Sequence, residues 1–340
     1  MLILSNCLTE IFDEGCLKVA NSLVNRIKKV SPETTVVTYE RKSKISDFHL
    51  HLNKFLLSHR LFSLIKKCGK SVIYIPFPAR TFATALRIFI LSVFSTEKVT
   101  VVLTMKYKTG FFVCMLLRLS GAKFLVFSKD ALDFYAKIVG NRRVVYLKTG
   151  VNIQKFVPVE NEKKFELKQK YGFDPERPLI LHVGHLNSGR NIAHLTELKK
   201  DYQVLLVTST LTKNEQDAEL KNKLLSCSNI RIIDDYIPNI EEIYQMSDLY
   251  FFPVVEEGRC IDVPLSCLEA AACNKPIVTT DYGEMKEFKN KNGFWFINSF
   301  DKNAINSLVA EALSGSDINT RSFVTEYDWN SSVGSILNLI

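Results

Sequence analysis

The chain reads as an α/β protein built from two Rossmann-like domains, each a parallel sheet covered by helices. Three observations predict this. Short apolar, β-branched segments alternate with helical segments throughout, as expected for strands buried on both faces of a parallel sheet. The alternation runs twice, on either side of a stretch, Thr149–Pro178, that carries Gly150, Pro158, a charged helical segment and Asp174-Pro175. At 340 residues the chain is also too long for one comfortable core.

The first run begins with Leu2–Ser5, a strand rather than a signal peptide, because only three apolar residues follow Met1 before the sequence turns polar. Further strands are expected near Thr35–Tyr39, Ser71–Ile75, Val99–Thr104, Lys123–Phe127 and Val144–Leu147. Helices near Glu14–Lys29, Lys54–Lys67, Arg80–Phe94, Lys108–Leu119 and Ala131–Val139 separate them. The second run places strands near Leu179–Val183, Gln203–Val207, Ile230–Ile233, Leu249–Phe252 and Ile277–Thr279. Its helices include one at Ile240–Gln245 and one opened by Pro264, a proline being tolerated in a first turn. The expected divisions are residues 1–155, 156–325 and a terminal helical tail over 326–340.

Composition limits the function. With 46% hydrophobic and 24% charged residues the chain is globular rather than disordered. Its net charge of +8 conceals an asymmetry: residues 1–150 hold 24 lysines and arginines against 9 acids, while residues 151–340 hold 20 against 27. Two halves of opposite sign imply two domains with different partners, the first facing an anion. Basic and bulky apolar residues interleave over Phe55–Lys67, Arg80–Phe94 and Lys106–Lys123, a pattern that suits anionic lipid. A solvated basic face is the plainer alternative, and no nucleic-acid motif is present. The longest apolar stretches are interrupted by Arg87, Arg118 and Lys123, short of the ~20 residues a spanning helix needs. The eight cysteines, Cys7 among them, form no CxxC pair and read as buried free thiols of a reducing compartment.

Chemistry is expected beyond the carboxyl ends of the strands. Val183-Gly184-His185-Leu186-Asn187-Ser188-Gly189-Arg190-Asn191 follows a strand and is expected to open a helix, whose N–H groups and dipole suit an anion. Arg190 adds a planar cationic fork for phosphate. The segments Ser5–Gly15 and Leu103–Lys108 end two strands of the first run. Among the histidines, His182 points into the strand layer and only His185 lies on the loop, so no metal site is expected. The most informative stretch is Phe251–Glu284, where Glu269 sits within an otherwise small and apolar helix, LSCLEAAAC. A carboxylate so surrounded is expected to be paired or to hold a ligand.

Those residues resemble the donor-binding signature of retaining glycosyltransferases of family 4. Pro253, Glu257-Gly258, Leu268-Glu269-Ala270-Ala271-Ala272 and Pro276-Ile277-Val278 match its elements in order. The join resembles the family linker at Gly150-Val151-Asn152 and Phe156-Val157-Pro158, and Phe323–Trp329 with the helix after it resembles the tail that crosses back to the first domain. The resemblance implies the GT-B fold, two domains whose sheets face across a cleft, and transfer of a sugar from a nucleotide-diphosphate sugar with retention. It implies a donor site of Gly184, His185, Arg190, Tyr236, Ile237, Leu268 and Glu269, with Glu269 on the ribose hydroxyls and the Tyr236–Ile237 main chain on the base. Arg190 stands where the family has a lysine, and His185 where it has an arginine. Ile261 occupies the family's first glutamate, so Asp262, the nearest acid, joins Arg190 as a candidate catalytic group. Glu14 and Gly15 correspond to the loop near donor phosphate and acceptor. No cofactor or metal is implied beyond the nucleotide-sugar co-substrate. The acceptor would be a glycan or lipid-linked, and the protein cytoplasmic, with peripheral contact on anionic membrane. A sugar-nucleotide epimerase of the same fold, or a relative that binds without chemistry, is the alternative.

Overall fold

The computed structural model describes residues 1–6, 8, 14–53, 55–68, 71–77, 81–95, 97–106, 109–210 and 216–339, with only the backbone of residues 333, 335 and 337–339. Cys7, Tyr107 and the helix starts expected at Lys54, Arg80 and Lys108 lie outside the described residues, as does most of the loop between Ser5 and Glu14. The chain divides into two compact units: Met1–Thr149 with Ile261–Val263 and Trp329–Ile340, and Gly150–Cys260 with Pro264–Asp328.

The first unit holds strands β1 (Leu2–Ser5), β2 (Thr35–Tyr39), β3 (Phe48–Leu50), β4 (Ser71–Ile75), β5 (Lys98–Leu103), β6 (Lys123–Val126) and β7 (Val144–Tyr146). They form one parallel sheet in the order β3-β2-β1-β4-β5-β6-β7, with Leu2 opposite both Thr35 and Val72. Between them run α1 (Gly15–Val30), α2 (His59–Cys68), α3 (Phe82–Phe94), α4 (Phe111–Leu119) and α5 (Lys129–Val139). Leu61 and Ile65 of α2, Ala85, Ile88 and Leu91 of α3, Leu117 of α4 and Tyr135 of α5 enter one core against a single sheet face. Each fully buried aliphatic side chain of that core contributes about 1.5–3 kcal/mol. The terminal helix, α12 (Trp329–Leu339), packs on α1, where Arg26 lies 5.9 Å from the Trp329 ring.

Local chemistry sets the helix ends. Ser128 accepts the N–H of Ala131 at 3.1 Å, so α5 starts two residues before the apolar periodicity does. α2 starts later than its composition implies. The Asn53 side-chain Oδ1 accepts the N–H groups of Phe55 and Leu57, and Leu56 adopts φ +59°, which closes a tight turn where helix was expected.

The second unit holds β8 (Leu179–Val183), β9 (Gln203–Val207), β10 (Ile230–Ile233), β11 (Leu249–Phe252), β12 (Ile277–Thr279) and β13 (Phe294–Phe296), parallel and ordered β10-β9-β8-β11-β12-β13. Its helices include α6 (Asn161–Lys170), α7 (Ala218–Leu225), α8 (Ile240–Met246), α9 (Leu265–Ala272), α10 (Lys302–Ser314) and α11 (Thr320–Val324). The buried Lys168 pins α6 to the start of β8. Its ammonium donates to the carbonyls of Pro175 and Arg177 and pairs with Asp248 at 2.6 Å, while Asp248 accepts the N–H of Leu179 at 2.7 Å. Burial alone would raise the Asp248 carboxyl, but the bonds from Lys164 and Lys168 outweigh it and hold it below the usual range. Strands β3 and β13 were not anticipated. Both are three-residue edge strands, too short to show a periodicity.

Candidate functional site

In the second unit the strand order reverses between β8 and β11, which are neighbours in the sheet. The crevice at the carboxyl ends of two such strands is where open α/β sheets receive ligands. Gly184 and Arg190 follow β8, and α9 with Glu269 follows β11. The helix expected after Gly184 is absent. Ser188–Arg190 and Ile192–Glu197 form 3-10 turns, divided by Asn191 in the left-handed conformation at φ +56°. Aligned peptide dipoles over so few residues amount to little. The positive charge this loop can offer therefore comes from Arg190 itself.

Arg190 is buried, and its Nε has no hydrogen-bond partner among the described residues. No ion pair or hydrogen bond to its guanidinium is found there either. The guanidinium lies across Gly184, where a Cβ would stand 2.2 Å from Nη1, so a side chain at 184 would displace it. The same position is 3.1 Å from His182 Nε2. His182 is fully buried between the rings of Tyr250 and Phe252, and its Nδ1 donates to the Phe251 carbonyl at 2.8 Å. Burial pushes it down to about 3, the carbonyl bond opposes this, and the Arg190 charge adds to it. The imidazole is therefore neutral, and its Nε2 lone pair has no partner among the described residues. A second cation flanks the loop. The Arg259 side chain crosses Gly189, with Nε 2.4 Å from where a Cβ would be, and pairs with Glu256 at 2.9 Å. Sequence reasoning missed Arg259. Its only signal was the EEGR loop, turned by Gly258 at φ +83°.

Glu269 is buried in α9, and the Tyr244 hydroxyl donates to its Oε2 at 2.7 Å. Burial raises the Tyr244 hydroxyl well above its ordinary value, so it stays a donor. Cys267, on the same helix, is pushed well up by burial. Leu268 is buried, His185 is half-buried, and in the turn before α8 Tyr236 is exposed and Ile237 half-buried. Asp234 of that turn pairs with Lys221 at 2.7 Å. The buried Glu284, accepting from Tyr327 at 2.7 Å, also went unnoticed in the sequence.

The remaining candidates gather in the first unit. Glu14 caps α1 through its carboxylate, which accepts the Leu17 N–H at 2.9 Å. Gly15 opens that helix, and a Cβ there would lie 3.2 Å from the side chain of Ile261, the residue in place of the expected glutamate. Asp262 is buried beside them: its N–H donates to the Thr104 carbonyl at 3.0 Å, and its Oδ2 accepts the N–H of Lys106 at 2.5 Å. Cys16 meets Thr104 at 3.3 Å. Glu14, Gly15 and Asp262 thus form one group, at the ends of β1 and β5. Among the described residues no three His, Cys, Asp or Glu side chains converge as a metal site would require.

Residues 163–327 match the family model described as glycosyl transferases group 1. The C-terminal domain belongs to the glycosyl transferases group 1 family. Within the chain, 153 residues are 28% identical to N,N'-diacetylbacillosaminyl-diphospho-undecaprenol alpha-1,3-N-acetylgalactosaminyltransferase of Campylobacter jejuni, covering 42% of this chain and 37% of that protein. The matched stretches thus span well under half the length of the curated relatives, 37% and 39%. Solved structures extend the likeness to the whole chain. A glycosyltransferase from Rickettsia africae superposes with a TM-score of 0.79 at 18% identity, over 99% of this chain and 97% of the other. Anabaena HepE, in complex with UDP-glucose, superposes with a TM-score of 0.78 at 11% identity over 100% of both chains. The fold of the whole chain is GT-B, two Rossmann-like domains in one chain.

Proposed function

We propose that the protein is a glycosyltransferase that moves a sugar, a hexose or its derivative, from a nucleotide-diphosphate sugar to a lipid-linked or glycan acceptor, with retention of anomeric configuration. The observation that carries this reading is the buried Arg190 guanidinium, unpaired among the described residues and laid over Gly184 at the switch point. A buried cation without a partner costs several kcal/mol, and an arriving anion offsets that cost. A nucleoside diphosphate supplies such an anion, and its ribose diol suits the fixed carboxylate of Glu269. The Campylobacter relative, named for an undecaprenol-linked substrate, supports a lipid-linked acceptor.

In the reaction the bond between the anomeric carbon and the donor phosphate oxygen breaks, and its electron pair stays with the diphosphate. The acceptor oxygen bonds the same carbon and releases its proton to the departing phosphate. Arg190 meets the charge that grows on the leaving oxygen, so no divalent cation is required and turnover should persist in chelator. Asp262, engaged with two main-chain groups, serves as a positioning residue for the loop after β5. The basic first unit receives the acceptor at an anionic membrane surface. Arg190→Ala should lower turnover about 10²–10³-fold, more than it weakens donor binding, and Arg190→Lys should recover part of the loss. Equal losses in kcat/KM and donor affinity would reduce Arg190 to ground-state binding.

A further inference from the structure

The outer face of α3 and α4 is apolar, although both helices belong to a surface layer. Their inner faces fill the core of the first unit. Outward, Phe111 is 77% exposed, Phe112 66% and Leu119 61%, with Met115 exposed between them. Phe111, Met115 and Leu119 recur at helical spacing and form one stripe. On α3, Phe82 and Val93 lie on one stripe, with Leu86 and Phe89 half-buried between them, and Phe94 is exposed beside Val93. α3 and α4 pack together, so the two stripes are neighbours. Monomeric soluble proteins rarely expose so many contiguous bulky apolar side chains without a partner.

The surroundings identify the partner. The Phe62 ring of α2 lies 5.9 Å from that of Phe94, tilted against it, which places α2 beside α3, and α5 packs against α4. Arg60, Lys66 and Lys67 are exposed on α2, Arg118 on α4, Lys137 on α5, and Arg142 just after it. Only three acids, Glu97, Asp130 and Asp133, stand among the 17 lysines and arginines of residues 51–150. A second copy of this chain meeting the face about a two-fold axis would bring like charges together. An anionic bilayer answers both features, with headgroups at the basic rim and acyl chains at the phenylalanines. α3 and α4 have 13 and 9 residues, too short to span a bilayer, so they would lie in its plane. Among the described residues no helix is long and apolar enough to cross.

We propose that the α3–α4 face inserts its exposed phenylalanines into an anionic lipid surface while the basic residues of α2, α4 and α5 hold the headgroups. This deepens the membrane contact proposed above and rests on it. The test is co-sedimentation of the full chain with vesicles of phosphatidylcholine, alone or mixed with phosphatidylglycerol, in low and high salt. The wild type should bind only the mixed vesicles and release in high salt. Phe111→Ser with Phe112→Ser should weaken that binding about tenfold or more, with an unchanged melting midpoint and unchanged turnover of a soluble acceptor. Phe111→Trp should shift its emission to the blue on binding. Failure of the wild type to bind the mixed vesicles would overturn the membrane contact itself. Binding that the serine pair leaves intact would overturn this face alone. A concentration-dependent dimer that the serine pair abolishes, with vesicle binding unchanged, would assign the face to a second copy and overturn the proposal.

Discussion

The two units are wound in the same strand order, yet they keep their charges in opposite places. The second unit buries Lys168, Arg190, Glu269, Lys275, Glu284 and Asp328, besides the neutral His182. The first, among its described residues, buries a single charged side chain, Asp262, which arrives on the short excursion 261–263. Outside, the first unit exposes phenylalanines that an ordinary surface would cover. On the function proposed here, one winding serves two kinds of recognition, and the side chains placed on it decide which. The buried charges of the second unit also divide. Lys168 and Lys275 are satisfied by main-chain carbonyls, Glu269 and Glu284 accept from tyrosines, and the Arg190 guanidinium has no partner among the described residues. Burial with satisfaction builds the fold, and burial without it marks the site.

Two glycines give the sharpest way to break this comparison. Gly184→Ala puts a methyl group 2.2 Å from the Arg190 guanidinium, whereas Gly15→Ala meets Ile261 at 3.2 Å, a contact relieved by a small shift. Donor turnover should fall in Gly184→Ala nearly as far as in Arg190→Ala, about a hundredfold or more, and change only severalfold in Gly15→Ala. Equal losses would mean that the two strand ends contribute alike, and the division between units would fail.

The next largest effect concerns Glu269. Glu269→Gln should weaken donor binding by about 1.5–3 kcal/mol, the worth of charge-assisted hydrogen bonds, without unfolding the protein. Tyr244→Phe should weaken it less, because the carboxylate remains. A calorimetric titration showing unchanged affinity in a folded Glu269→Gln variant would remove the residue from the site.

A third prediction reads the buried imidazole through stability. His182 titrates near 3 in the folded chain against an ordinary 6.5, so between those values the unfolded chain binds the extra proton. Stability therefore rises with pH across that window and is lost as pH falls through it, by a few kcal/mol at most. His182→Gln should flatten the urea midpoint against pH relative to wild type. Parallel curves for the two proteins would show that His182 is not held neutral by burial. Asp262→Asn should have the smallest effect, a severalfold loss in turnover with donor affinity unchanged, because the amide can still accept the Lys106 N–H.

How much of this was legible depended on burial. Strands covered on both faces, such as Leu179–Val183 and Gln203–Val207, announce themselves as mainly apolar runs, each with one polar residue, His182 or Gln203. The edge strands Phe48–Leu50 and Phe294–Phe296 do not, since each has three residues and a neighbouring strand on one side only. The loop after Gly184 misleads for a specific reason. Ile192, Leu195 and Leu198 are buried at intervals of three, the period of a 3-10 turn, and a short window does not separate that from 3.6. The cation at Arg190 is visible in the sequence, but its burial over Gly184 is a property of the folded loop. Arg259 is silent because it reaches its place through a left-handed glycine rather than a periodic element.

The central claim is that the second unit holds a nucleoside diphosphate between Arg190 and Glu269. Calorimetric titration of the full chain with a panel of nucleoside diphosphates tests it most directly, repeated with folded Arg190→Ala and Glu269→Gln. The account predicts that the wild type binds at least one member of the panel and that each substitution weakens the binding separately. Absence of binding across the panel, or affinities that neither substitution changes, would contradict it.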